Sequence, residues 1–169
     1  MTPPDSTTDT VLAVDSLKVT FGSREVIRNL SISLPRGRIH TIIGPNGSGK
    51  TTLLRAVSRN LKPAAGSVFL NGKSIHEMTP KAIARQMAVL SQVHNAMSDV
   101  SVSELVAYGR FAHREWWKGK SAEDSGIVDW ALERTGITDF AHQKINTLSG
   151  GERQRAWIAM ALAQKPQLL

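Results

Sequence analysis

Gly44-Pro45-Asn46-Gly47-Ser48-Gly49-Lys50-Thr51 places glycines, a lysine and a hydroxyl residue in the order G-x-x-x-x-G-K-[ST]. Before it, residues 38–43 (RIHTII) end in a mostly apolar run that predicts a buried strand. After it, residues 50–58 predict a helix. In that strand–loop–helix context the spacing has a chemical meaning. The glycines let the loop wrap so that successive backbone N–H groups point inward at an anion. The N-terminus of the following helix adds partial positive charge. Lys50 is then expected to reach the β- and γ-phosphates of a nucleoside triphosphate, and the Thr51 hydroxyl to ligate Mg²⁺. With Thr52, the eight residues from Gly44 to Thr51 form the candidate nucleotide-binding segment.

Outward from the loop, residues 11–20 and 26–34 are rich in β-branched and apolar side chains and predict strands, with a turn at Pro35-Arg36-Gly37. Residues 67–70 predict a short strand closed by an Asn71-Gly72 turn. Thr79-Pro80 opens a helix through about residue 85, with proline at its tolerated first position. Residues 87–90 predict another strand. Beyond them the apolar spacing becomes helical over 102–108, 123–134 and 150–164, and residues 167–169 read as the start of one more strand. The expected organisation is a loose tail (1–10), a β part and nucleotide-binding core (11–92), a helical subdomain (93–147), and a final segment (148–169) returning to the core.

Composition narrows the classes. The chain has 169 residues, 41% hydrophobic and 21% charged, ordinary globular usage that argues against disorder. It has no cysteine, which removes disulfides, zinc ribbons, iron–sulfur clusters and thiol catalysis. Its longest apolar run, residues 156–163, is far shorter than the roughly 20 residues a membrane helix needs. Residues 1–10 are polar and lack the apolar centre of a signal peptide. The formal charge of +7 favours anionic partners, although most of the basic residues read as a solvated surface.

A second glycine motif follows at Leu148-Ser149-Gly150-Gly151-Glu152 and continues Arg153-Gln154-Arg155. Ser149 and Glu152 have capping-box spacing, so the motif predicts a helix start. Two glycines in a first turn each cost roughly 1 kcal/mol relative to alanine. The compensating gain is close approach of an anion to bare N–H groups, a second anion site.

With both motifs in place the sequence resembles the ATP-binding subunit of ABC transporters, whose signature is LSGGQ; this chain reads LSGGE, and the resemblance covers nearly its whole length. The fold it implies is α/β, a P-loop NTPase core with an N-terminal antiparallel β part and a helical insert. It also implies a head-to-tail pair of subunits in which Leu148, Ser149, Gly150, Gly151 and Glu152 face the partner's ATP. Phe21, in Val19-Thr20-Phe21-Gly22, matches the aromatic that stacks on adenine; a core phenylalanine in a strand is its other reading. Gln92, in Leu90-Ser91-Gln92, matches the Q-loop glutamine, whose amide meets Mg²⁺ or the attacking water. Lys50 and Gln92 are thus the candidate catalytic residues, and Thr51 and Gln92 the candidate metal ligands.

The same resemblance requires an apolar strand ending in Asp-Glu and a later switch histidine. No acidic residue follows Glu152, and none of the five histidines follows the signature. The sequence therefore reads as C-terminally truncated ahead of the Asp-Glu strand, and the chain alone is expected to be inactive. Glu104-Leu105-Val106-Ala107-Tyr108-Gly109-Arg110 with His113, and Arg155-Ala156-Trp157-Ile158-Ala159-Met160, look like the branch importing iron–siderophore complexes, haem or cobalamin, with Ala112 where a proline is usual. The implied partners are a second ATP-binding subunit, integral membrane permease subunits and, indirectly, a substrate-binding protein, with no nucleic acid. The implied place is peripheral, on the cytoplasmic face of the plasma membrane. A non-transport ABC-type ATPase, a translation factor or nucleic-acid-associated protein, is the alternative. His113-Arg114 and Trp116-Trp117 read as a basic surface loop, and Trp130 and Trp157 as core.

Overall fold

The computed structural model describes residues 9–91, 99–114 and 121–169. The described chain divides into two compact units, residues 1–79 and 80–169.

In the first unit, β1 (Thr10–Phe21) and β2 (Arg24–Pro35) form a long antiparallel hairpin. β3 (Ala65–Leu70) pairs antiparallel with the other side of β1, and β4 (Lys73–Ser74) with β3, giving the order β2-β1-β3-β4. Central position explains the composition of β1: Leu12, Val14, Leu17 and Val19 are all buried. A bulge interrupts its register at Ser16 (φ 50°), whose N–H donates to Ser31 Oγ at 2.8 Å. Gly66 lies opposite; a Cβ there would stand 2.4 Å from Ser16 O, so only glycine fits. Asn71 and Gly72 both take positive φ, as a two-residue hairpin turn of this sequence does. α1 (Lys50–Val57) packs on β1 and β2 through Leu53, Ala56 and Val57.

Residues 38–43 correct the reading of a buried strand. They form no ladder, and Ile39 and Ile43 are 97% and 89% exposed. A core strand exists only where neighbours take up its N–H and C=O groups, and among the described residues none flanks this segment.

The second unit is helical: α2 (Pro80–Ala84), α3 (Val102–Tyr108), α4 (Ala122–Arg134) and α5 (Gly150–Ala163), with short 3₁₀ turns at Thr138–Phe140 and Ile145–Thr147. α3, α4 and α5 pack on one another around Val102, Leu105, Val106, Ala131, Ile145 and Ala156. Small residues on α5 (Ala156, Ala159 and Ala163, all fully buried) let the helices approach closely. Ser101 and Glu104 close a capping box at the start of α3, and Ser121 caps α4. Trp130 and Trp157 pack half-buried against this core. The strand expected at 87–90 is reduced to one parallel bridge, Met87 with Leu168, which also pairs the segment after α5. Among the described residues no helix is long and apolar enough to cross a membrane.

Candidate functional site

The candidate nucleotide-binding loop, residues 44–51, belongs to the first unit. Gly47 (φ 82°) and Gly49 (φ 95°) hold left-handed backbone that other residues rarely adopt. At Gly44 a Cβ would lie 2.8 Å from Ser48 Oγ, so a side chain there would require the serine hydroxyl to turn away. Ser48 N–H closes the turn onto Pro45 O at 3.2 Å. Gly49 is the N-cap of α1 and offers no side-chain cap. Leu53 N–H opens the helix ladder on Gly49 O at 2.8 Å, so the N–H groups ahead of it are not taken up by that ladder. The first turn contains no acidic side chain. Over this end the Lys50 ammonium folds back and donates to Gly44 O and Pro45 O, both at 2.8 Å. A cation resting on two carbonyls beside an uncapped helix N-terminus is a ready place for a polyanion. Thr51 is exposed and Thr52 half-buried.

Phe21 lies in the same unit, at the end of β1 opposite Arg24. Its ring is 51% exposed, so it is not the core phenylalanine that a strand position also allowed. Lys18 and Glu25 form an ion pair nearby on the hairpin.

The second motif belongs to the second unit. Ser149 is the N-cap of α5, and its capping box is complete: Ser149 N–H donates to Glu152 Oε2 at 2.8 Å, and Glu152 N–H donates to Ser149 Oγ at 3.3 Å. The Ser149 bonds, the side-chain bond foremost, hold the Glu152 carboxyl below the usual carboxylate range. Ser149 Oγ accepts in this bond, and its own O–H proton is given to the Glu152 carboxylate, which can only accept. Gly150 and Gly151 are exposed, and a Cβ on either would meet nothing within 4 Å. Among the described residues, packing therefore gives no reason for glycine at either position. Arg153 Nη2 donates to Leu148 O at 3.1 Å and steadies the residue ahead of the cap. Gln92 lies outside the described residues, as do Trp116 and Trp117. Among the described residues no cluster of three or more His, Cys, Asp or Glu could hold a metal.

Sequence reasoning undervalued Arg110 and His113. Rather than decorating a surface loop, His113 caps the far end of α5 together with Arg110. Arg110 is buried; its Nε donates to Asp124 Oδ1 at 2.8 Å and its Nη1 to Ala163 O at 2.9 Å. His113 Nε2 bonds Gln164 O at 2.8 Å. A carbonyl only accepts, so that nitrogen carries the proton. Burial pushes the His113 imidazole down from its ordinary 6.5. The Arg110 guanidinium, first through its hydrogen bond, holds the Asp124 carboxyl low. Gly109 completes the clip, because a Cβ there would stand 2.1 Å from Met160 O. The Gly-Arg-x-x-His spacing was the available signal, and it could be read as a branch label without revealing that it fastens three helices.

The family model described as ABC transporter matches residues 27–169. The iron(3+)-hydroxamate import ATP-binding protein FhuC of Bacillus subtilis is 49% identical over 94% of this chain and 59% of its own length. The ferric enterobactin transport ATP-binding protein FepC of Escherichia coli is 44% identical over 92% of this chain and 57% of its own length. Among solved structures, the ADP conformation of MJ1267, an ATP-binding cassette of an ABC transporter, superposes with a TM-score of 0.81 at 26% identity, over 93% of this chain and 66% of that one. The chain thus spans less than two thirds of the length of these curated relatives.

Proposed function

The chain belongs to the ABC transporter family, and from that premise we propose that it is an ATP-binding, ATP-hydrolysing subunit powering an importer, with ferric siderophore as the cargo class. The observation that carries the reading is the Lys50 ammonium held over the uncapped start of α1. The names of the siderophore-import relatives supply the cargo.

The residues fit the nucleotide. Phosphate oxygens are better acceptors for an ammonium than amide carbonyls, so Lys50 would leave Gly44 O and Pro45 O for the β- and γ-phosphates. The left-handed glycines keep the loop backbone bare at that point. Phe21 offers an exposed π-face for adenine. Thr51, exposed on the first turn, and Gln92 are the residues proposed to hold Mg²⁺, which supplies neutralisation of charge on the transferring phosphoryl group. The signature residues Ser149 and Gly151 would serve the nucleotide of a second copy, with the N–H groups of the exposed glycines as donors and the Ser149 hydroxyl joining them by turning from Glu152. We further propose permease subunits as the membrane partner, with this chain peripheral on the cytoplasmic face.

The test is calorimetric titration of Mg-ATP into the chain and into Lys50→Ala. Binding in the first that vanishes in the second is expected; equal affinity would overturn the reading. Co-purification of the protein with an integral membrane protein tests the transport half.

A further inference from the structure

α5 is fourteen residues long, a rod of roughly 21 Å at 1.5 Å per residue, with the signature at one end and Gln164 at the other. Where Ser149 and Gly151 point depends on how that rod is held. Gln164, just past its end, engages two sides at once. Its backbone C=O accepts from His113, which follows α3. Its side-chain amide donates to Ala84 O and, at 2.8 Å, to Met87 O, the carbonyls at the end of α2 and the start of the following segment. An amide –NH₂ has two protons, and both are used. The next residues bind the same segment by backbone: Leu168 N–H donates to Gln86 O at 3.0 Å, and Ala88 N–H to Leu168 O at 2.9 Å. The segment meets α5 again at the signature end, where Leu90 and Ser91 share a groove with Gly150, Arg153 and Trp157.

We propose that Gln164 is a positioning residue for the signature. Its two side-chain bonds fix α5 against the segment from Gln86 to Ser91, so that the helix start and the segment's end move as one body. The functional half of this proposal rests on the reading of Ser149 and Gly151 given above; the mechanical half does not. The alternative is that the backbone pairing around Leu168 and the apolar core hold α5 without the amide.

The chain lacks cysteine, so spin labels can be placed freely. We would label Val89→Cys and Arg155→Cys, both at exposed positions, and measure the distance distribution without nucleotide. The parent chain should give one narrow distribution. Gln164→Met keeps the length and loses both donors, and should broaden the distribution at least twofold with helix content by circular dichroism unchanged. Gln164→Lys, whose ammonium can donate to both carbonyls, should restore the narrow distribution. Should the methionine variant fail to fold, Gln164→Glu, with a carboxylate in place of both donors, makes the same comparison. An unchanged width in whichever variant folds overturns the proposal. Mg-ATP affinity, titrated in parallel, should stay within twofold of the parent in Gln164→Met. Loss of ATP binding by the parent itself would strike the functional reading instead, leaving the label result to judge the mechanical one.

Discussion

Single glycines separate what the fold needs from what a ligand would need. At Gly109 the obstacle to a side chain is backbone, Met160 O at 2.1 Å, with Ala163 Cβ at 3.1 Å. Gly109→Ala is therefore expected to destabilise the second unit by about 3 kcal/mol, read as a lower denaturant midpoint. Gly151 is the opposite case. It sits in a helix with open space around it, so Gly151→Ala should leave the fold intact or stabilise it by roughly 0.5–1 kcal/mol. The same variant should lower ATP turnover in the assembled parent if the signature contacts nucleotide. A midpoint that falls in Gly151→Ala would mean that the glycine serves the chain's own packing. Phe21→Ala removes an exposed ring from the end of β1, which should weaken Mg-ATP binding about tenfold, from roughly 1 kcal/mol for one stacked contact, while thermal stability barely moves.

The clip formed by Arg110, Asp124, His113 and the end of α5 makes an element-scale prediction about acid. His113 is held neutral below its ordinary 6.5, chiefly by burial. Its contribution is complete above that value and is lost as pH falls through the lowered one in the folded state. Asp124, lowered first by its bond from Arg110, contributes fully above its ordinary 3.8 and loses that as pH falls further. Both signs agree: acidification should loosen the α3–α4–α5 junction in two steps. Thermal midpoints followed from about pH 8 to about pH 3 should show the first step in the parent chain and not in His113→Gln, which keeps a donor without titrating. The clip also shows why element boundaries were more legible in the sequence than their connections. Capping boxes announce helix starts through local spacing, and α5 begins where Ser149 and Glu152 say it should. Arg110 and His113 act on carbonyls some fifty positions away, and no local pattern encodes that partner. The strand expected at 38–43 failed for the same reason in reverse. Its apolar pattern is local, but a strand is a property of neighbours, and Ile39 and Ile43 stand exposed without them. The backbone of the glycine loop was legible because its pattern is local: Gly47 and Gly49 take the left-handed conformations that the spacing suggests, and Lys50 folds back over the loop.

At the scale of the whole molecule, a nucleotide bound as proposed would link ligand and fold through the start of α1. Any ligand that binds only the folded chain stabilises it, by about 2.7 kcal/mol at a hundredfold excess over Kd. For a chain of this size that corresponds to a thermal midpoint about 5–10 °C higher with saturating Mg-ATP. Lys50→Ala should show no such rise. A rise that persists in the variant would place the nucleotide elsewhere. The uncapped N-terminus of α1 carries a consequence beyond binding. A helix that leaves its first donors open to an incoming anion completes its own end only when that anion arrives. Proteases in a cell act on the open fraction of a protein, which ligand depletes. The lifetime of this chain, and so its abundance, should therefore follow the supply of nucleotide, falling in starved cells before any change in its synthesis.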